Sequence, residues 1–243
     1  ISEAGSKALK QASAASVQGE QDEVLYQFAV NATSPLPDMT ADTAGLLTRL
    51  EQELAYFPNV TEVVMCGVLL NNEAMAAFRE SHREDFKVIW NIQCGNKMIL
   101  RTDSPYLMPT KYHVYYFLDS DAVNLKYCED MICVDIGHMA VTNVDFAAFM
   151  PNLQYLILAH TEVRDLTPLT SCQQLKFLEL DWSPVRDLTP LKGCTALEDL
   201  NLGMTYCSID PILEMTWLKN VYMILRGGGG LVGQAIPDAR VIT

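Results

Sequence analysis

The sequence of 243 residues lacks any apolar run close to the ~20 residues that a membrane-spanning helix requires. We therefore expect no membrane insertion of this segment. Basic residues are also scarce, since 17 lysines and arginines stand against 30 aspartates and glutamates, for a net charge of −13. A negative field of this size repels phosphate backbones and anionic lipids, so neither nucleic acid nor a membrane surface is an expected partner.

Common metal, redox and nucleotide motifs are absent as well. The seven cysteines form no Cys-x-x-Cys pair and no cysteine–histidine cluster with the spacing of a zinc site. The glycine run at 227–230 lacks the Gly-Lys-Ser/Thr ending of a phosphate loop, so we interpret it as a flexible turn. We expect no cofactor and no metal ion.

A repeat occupies the C-terminal half of the chain. Leu153, Leu175 and Leu197 each begin a segment with the pattern Leu-x-x-Leu-x-Leu, and the interval between them is constant. The apolar pattern extends back by one full unit to Met131 and forward by one slightly shorter unit to Leu218. Because one such unit cannot bury its own apolar face, the sequence predicts that consecutive units stack around a shared core.

The local pattern predicts how each unit folds. Leu156 and Leu158 lie two positions apart and face the core from a short strand, while Tyr155 and Ile157 face the opposite side. The hydroxyl residue that follows, Thr161 in this unit, is expected to hydrogen-bond the backbone of a sharp turn.

A very short helix is predicted after the turn, within the Leu-Thr-Pro-Leu segments. Thr167 and Thr189 suit its N-cap, and Pro168 and Pro190 suit its first helical position, where the missing N–H would have no partner in any case.

This pattern resembles the leucine-rich repeat family. The Asp-Leu-Thr-Pro-Leu segments at 165–169 and 187–191 are similar to the 22-residue units of its internalin-like bacterial subclass, although hydroxyls replace the usual asparagine at Thr161, Ser183 and Thr205. The resemblance implies an α/β solenoid with parallel strands on the concave side and short helices and turns on the convex side. It also implies non-catalytic binding of a protein, peptide or glycan at a bacterial cell surface or outside the cell, with an export signal presumed removed.

We divide the chain into four parts. Residues 1–21 are predicted to be a flexible tether, 22–130 an N-terminal cap with irregular leading repeats, 131–225 the regular repeats, and 226–243 a C-terminal cap. A separate small α/β domain within 50–130 is the alternative.

The N-terminal cap carries its own secondary-structure predictions. We predict, in chain order, a strand, two helices and a second strand: 22–30, 41–57, 72–82 and 87–92. Tyr112, Tyr115 and Phe117 are expected to repeat the inward spacing of the later strands. An edge strand or cap near 239–242 is expected to close the chain.

The predicted binding site consists of outward-facing residues of successive strands and of Trp182 at the sheet edge. Its members are Asp135, Tyr155, Ile157, Phe177, Glu179, Asp181, Trp182, Asp199, Asn201 and Tyr222. Rigid aromatic rings beside charges are typical of binding hot spots, and the acids favour a partner with a cationic patch.

Two other functions remain open at this point. One is a structural spacer within a larger surface protein, and the other is an enzyme that uses residues 22–130. His82, Cys94, Asp103 and His113 are scattered there without a Ser/His/Asp or Cys/His motif, so we predict no catalytic residue.

Two further columns recur at the repeat spacing. His138, His160, Trp182 and Met204 form one row after the strands, which we interpret as an exposed edge rather than a metal site, because four ligands are not evident.

Cys172 and Cys194 form the second column. Neighbouring units could bring these thiols within disulfide distance, but Met150 occupies the same column, so we favour buried unpaired thiols.

Overall fold

A computed structural model describes residues 26–27 and 38–243. The chain divides into two compact units, with the boundary between Ile92 and Gln93. The predicted tether and most of the predicted strand at 22–30 lie outside the described residues. None of the helices in the described part is both long and apolar enough to cross a membrane.

The first unit consists of parallel strands and two α-helices. In chain order its elements are β1 (Tyr26–Gln27), a 3-10 turn (Thr40–Asp42), α1 (Thr43–Leu54), β2 (Glu62–Met65), α2 (Asn72–Ser81) and β3 (Lys87–Cys94), which runs past the boundary. The strands pair in the order β1-β2-β3. Both predicted helices and the predicted second strand are confirmed, with ends shifted by up to three residues.

Each helix of the first unit has a clear local cause. In α1, Leu47 and Leu50 are spaced three apart and are both buried. Helix α2 begins after Asn71, whose Oδ1 accepts a hydrogen bond of 2.9 Å from the N–H of Ala74 and so satisfies a donor of the first turn.

The second unit contains the repeats. In chain order its elements are β4 (Met98–Arg101), β5 (Tyr106–Leu107), 3-10 (Pro109–Tyr112), α3 (Asp119–Ala122), 3-10 (Val123–Tyr127), β6 (Cys133–Asp135), 3-10 (Asp145–Phe149), β7 (Tyr155–Ile157), 3-10 (Thr167–Ser171), β8 (Phe177–Glu179), 3-10 (Thr189–Gly193), β9 (Asp199–Asn201), 3-10 (Asp210–Glu214), β10 (Asn220–Tyr222), α4 (Gly229–Ala235) and β11 (Arg240–Ile242). Strands β5 to β11 form one parallel sheet in sequential order.

The register of this sheet follows the repeat of the sequence. Leu156 pairs with Leu178 and Leu178 with Leu200, so each step equals the repeat interval, and Asn201 pairs with Tyr222 after the slightly shorter last step. The three leucines are fully buried. The predicted stacking and the inward direction of these leucines are therefore confirmed.

A 3-10 helix follows the strand and turn of the repeats. The residue at the N-terminus of this helix differs from the prediction. Thr167 and Thr189 are the first residues of these helices rather than their N-caps. Their backbone N–H groups donate to Oδ1 of Asp165 and Asp187, each at 2.8 Å. The predicted threonine cap was wrong because each helix begins one residue earlier, at the threonine itself, whose N–H is satisfied by the side chain of the aspartate two positions before it.

The turn hydroxyls behave as predicted in two of three units. Thr161 and Thr205 are buried and donate at 2.8 Å to the carbonyls of Leu158 and Leu202. Ser183 is equally buried, but its Oγ has no hydrogen-bond partner among the described residues.

The leading unit differs from the prediction. Phe117 is buried as expected, but Tyr112 and Tyr115 are exposed, so their inward assignment was wrong. The strand of this unit is β5, whose Tyr106 pairs with Cys133 across a longer interval than any later step of the sheet. A 3-10 helix occupies the positions where a constant spacing would place a strand.

The C-terminal end also corrects one prediction. Gly228, with φ of +99°, precedes α4, and the next glycines begin that helix. The run at 227–230 was therefore wrongly interpreted as a flexible turn. Strand β11 lies within the predicted 239–242 segment and pairs with β10. The predicted boundaries of the four parts of the chain remain predictions.

Candidate binding surface

The outward residues of the strands form two columns across the sheet, and the first begins with aromatic side chains. Tyr106 pairs with Cys133, Cys133 with Tyr155, and Tyr155 with Phe177. Neighbouring parallel strands lie about 4.8 Å apart, so these side chains are adjacent. Tyr106 is 56% and Tyr155 43% exposed, and the other two are half-buried. We call Tyr106, Tyr155 and Phe177, together with Cys133 between the two tyrosines, the aromatic row.

Tyr106 does not belong to the predicted site. The signal that could have found it is the apolar Leu107 beside it, which is fully buried in the sheet. The long interval to the next strand conceals this alternation, since the spacing of the later units does not hold here.

Polar residues continue the first column. Asp199 and Asn220 follow Phe177 across the sheet, and the side-chain amide of Asn220 donates to Asp199. Arg240 on β11 ends the column. The column thus changes from aromatic to polar along the solenoid.

The second column is mostly polar and half-buried. Its members, one from each strand, are Asp135, Ile157, Glu179, Asn201 and Tyr222. The amide of Asn201 donates to Glu179 at 3.2 Å, and its Oδ1 accepts from the N–H of Gly203 at 3.0 Å. Asp135 likewise accepts from the N–H of Gly137 at 3.2 Å. These hydrogen bonds hold the polar side chains in fixed orientations.

A stacked edge borders this face directly after the strands. The rings of His138 and His160 lie 4.4 Å apart at 17°, and those of His160 and Trp182 lie 5.5 Å apart at 8°. All three residues have positive φ, between 53° and 60°. Their N–H groups donate to the carbonyls of the next unit, for example Trp182 to Gly203 at 2.9 Å, and these bonds hold the unusual backbone in place.

All ten predicted binding residues lie on the strand face or on this edge. Asp181 lies between the two, with its Oδ2 3.7 Å from Nε2 of His160. The sequence placed the histidines and Trp182 in one row, but it gave no sign of the ring stacking, because the positive φ is not marked by glycine. In the part of the chain that the structure describes, no three His, Cys, Asp or Glu side chains converge as metal ligands would.

The thiol column is confirmed as buried. Cys172 and Cys194 are free and fully buried, and their thiols donate to the carbonyls of Ala147 and Leu169 at 3.4 and 3.3 Å. Burial raises the pKa of Cys172 to about 11 and that of Cys194 to about 12. The disulfide alternative is therefore wrong, and neither thiol is a nucleophile at neutral pH.

Two of the residues considered for an enzyme, Cys94 and Asp103, have surroundings that indicate a structural role. Burial, assisted by the charge of Asp121, raises the pKa of Cys94 to about 12. Asp103 forms an ion pair of 2.8 Å with Arg101. With this raised pKa the thiol of Cys94 stays protonated at neutral pH, so it does not attack a substrate.

Comparison with known proteins finds structural neighbours alone. No family profile and no curated protein matches the sequence. Solved structures with similarity include internalin C2 and internalin F of Listeria monocytogenes and a leucine-rich repeat protein of Leptospira interrogans. Sequence identities are 19%, 14% and 11%, and TM-scores are 0.40, 0.42 and 0.42.

The matched segments differ in extent. They cover 49%, 88% and 79% of this chain, and 63%, 72% and 51% of the respective neighbours, so the chain spans less than two thirds of the internalin C2 and Leptospira structures. The fold itself is decided by the geometry of the chain: parallel strands at a regular interval, a leucine core beneath them, and a 3-10 helix after each of the strands β6 to β9. The repeats of this chain form a leucine-rich repeat solenoid.

Proposed function

We propose that the solenoid is a non-catalytic recognition module that binds a protein, or alternatively a glycan, through its concave strand face. The observation that carries this proposal is the aromatic row, in which the exposed Tyr155 lies beside Phe177 on the next strand and the exposed Tyr106 lies two strands away, across Cys133. Aromatic rings provide large contact area at a small cost in conformational entropy, and such residues dominate the energy of many interfaces.

The charge of the same face supports a partner with a cationic patch. Asp135, Glu179, Asp181 and Asp199 lie beside or beyond the aromatic row, and the whole chain carries a net charge of −13. Acids around an apolar centre accelerate the approach of a basic partner and disfavour acidic ones.

The proposal includes an extracellular or cell-surface location and membership of the internalin-like subclass. Its support is the pair of Asp-Leu-Thr-Pro-Leu segments at 165–169 and 187–191. The thiols of Cys172 and Cys194 suit an oxidising compartment, because burial and raised pKa values protect them from oxidation.

A random peptide library displayed on phage tests the proposal even though the partner is unidentified. Parallel selections use the wild type and the Tyr155→Ala/Phe177→Ala variant as bait. We expect the wild type to enrich peptides rich in lysine and arginine, and the variant to lose them. Equal enrichment by both baits, or selected peptides without basic residues, would contradict the proposal.

The same peptides test the role of the acids. Replacing Glu179 by Gln and Asp181 by Asn should slow association and reduce its dependence on salt, with a smaller effect on dissociation. An unchanged association rate would mean that the acids do not steer the partner.

A further inference from the structure

A cleft of about 270 Å³ opens beside the stacked edge, and no residue of the aromatic row lines it. Its lining comes from three successive units and includes Thr161, Glu162, Trp182, Ser183, Met204 and Tyr206. We infer that this cleft is a second binding site, which holds the guanidinium of an arginine side chain on a partner protein.

The aromatic surface of the cleft is accessible. Trp182 is 54% exposed even though His160 stacks on it, and Tyr206 is 87% exposed. His160 does not line the cleft, so the cleft lies against the part of the indole that the imidazole leaves uncovered. A guanidinium is planar and stacks on such rings by cation–π attraction, for which an indole is the best partner.

The charge in the cleft has the sign that a cation requires. Glu162 is the charged residue of its lining. Its carboxylate contacts Arg164, whose Nη2 lies 4.0 Å from Oε2 of Glu162. Both side chains are mostly exposed, and a contact of this length at the surface holds the carboxylate weakly. Glu162 can therefore turn to a ligand.

One residue of the cleft lining, Ser183, has an unsatisfied buried hydroxyl. Thr161 and Thr205 donate to carbonyls of their own turns, but Oγ of Ser183, between them in the solenoid, has no partner among the described residues. A buried hydroxyl without a hydrogen bond is costly, but this oxygen has almost no accessible surface, so we do not assign it as a ligand contact. The interruption of the hydroxyl pattern thus occurs in the unit that contributes Trp182.

The experiment uses N-acetyl-arginine methylamide and its neutral analogue, N-acetyl-citrulline methylamide, as probes. The two differ in charge but have nearly the same shape and hydrogen-bonding side chain. NMR titration follows the indole N–H of Trp182, assigned by its disappearance in Trp182→Phe, and the amide signals of Ser183 and Met204. We expect saturable shifts with the arginine probe and binding of the citrulline probe that is about two- to fivefold weaker, as for an exposed cation–π contact.

Substitutions then separate the contributions of the cleft. Trp182→Leu and Tyr206→Leu should abolish saturable shifts at Ser183 and Met204, while Glu162→Gln should weaken binding about two- to fivefold. Arg164→Gln removes the competing cation and should strengthen it. Tyr155→Leu, in the aromatic row, is the control and should change nothing, so failure of the proposed concave site and failure of this cleft are distinguishable.

Three results would overturn the inference. Equal affinity for the arginine and citrulline probes would show stacking without charge recognition. An absence of shifts at Trp182 with the arginine probe would show that the cleft does not bind it. Stronger shifts with N-acetylglucosamine than with the arginine probe would identify the cleft as a sugar site.

Discussion

The imidazole of His160 and the indole of Trp182 stack with centroids 5.5 Å apart, and both residues have positive φ, at 54° and 53°. The left-handed backbone is what directs successive rings into one line, because it recurs at the same position of consecutive units. Histidine tolerates this conformation better than most residues, whereas a large or β-branched side chain is strained in it. The stacked edge therefore combines exposed aromatic surface with a left-handed backbone conformation that few side chains adopt without strain.

This conformation predicts a specific order of stability among variants of Trp182. Trp182→Asn and Trp182→Val both remove the indole, but asparagine accommodates positive φ and valine does not. We expect the valine variant to be less stable than the asparagine variant by about 1–2 kcal/mol in urea unfolding. Equal free energies of unfolding would show that the left-handed backbone does not persist in solution.

The core predicts a sharp alternation along β8. Leu178 is fully buried and pairs with Leu156 and Leu200 in the neighbouring strands, so Leu178→Ala should cost about 2–5 kcal/mol through lost burial and the cavity that remains. Leu180→Ala should behave alike. Glu179→Gln keeps the acceptor for Asn201 and should cost less than about 0.5 kcal/mol. Urea unfolding measures all three, and similar losses at 178 and 179 would refute the inward and outward assignment.

The thiols should differ in their rates of reaction with a maleimide under native conditions. Cys133 is half-buried, and burial together with Asp135 raises its pKa, so it should react more slowly than an unhindered thiol but faster as the pH increases. Cys172 and Cys194 should remain unmodified, since both are buried and more basic still. Peptide mass mapping gives the rates. Modification of Cys172 as fast as Cys133, or a disulfide between Cys172 and Cys194, would contradict the structure.

The aspartates before the 3-10 helices should make the solenoid sensitive to acid. Hydrogen bonds from Thr167 hold the pKa of Asp165 below its usual 3.8, and Thr189 does the same for Asp187. A lowered pKa in the folded state means that the unfolded chain binds more protons, so this contribution to stability is present above pH 3.8 and is lost as the pH falls further.

A double substitution isolates this effect. Asp165→Asn/Asp187→Asn keeps an acceptor for each threonine N–H but removes the titration. The variant should lose less stability than the wild type between neutral pH and about pH 2, as measured by urea midpoints. An identical loss in both proteins would show that these carboxylates do not contribute to acid sensitivity.

The sequence was sufficient to predict the solenoid because the residues that produce it recur at a constant interval. Leucines at a constant interval require stacking, and their alternation determines which residues of β6 to β10 face outward. Tyr106 escaped prediction because the leading unit is longer than the others, and the inward spacing of the later strands recurs by chance at Tyr112, Tyr115 and Phe117.

Features that depend on contacts between units could not be derived in the same way. The stacking of His138, His160 and Trp182 follows from a positive φ held by hydrogen bonds to the next unit, and no glycine marks those positions. The cleft at Glu162 and Ser183 arises from three units together, so no single repeat reveals it. Local rules also gave the wrong start for the 3-10 helices, because Asp165 accepts from the N–H of Thr167 and the helix begins at that threonine instead of after it.

Recognition through the strand face is tested most directly by the affinity of one ligand for two matched double variants. The ligand is a basic peptide selected on the wild type, and calorimetry measures its dissociation constant. Tyr155→Ala/Phe177→Ala removes the two adjacent rings of the aromatic row and should weaken binding at least about 30-fold, or ~2 kcal/mol, with circular dichroism confirming that the variant is folded. Arg164→Ala/Arg186→Ala alters exposed residues between the turns and the 3-10 helices and should not weaken the binding of this peptide by more than about twofold. The reverse result would be an affinity that is unchanged in the Tyr155→Ala/Phe177→Ala variant and lower in the Arg164→Ala/Arg186→Ala variant. It would place binding on the opposite side of the solenoid and contradict the account.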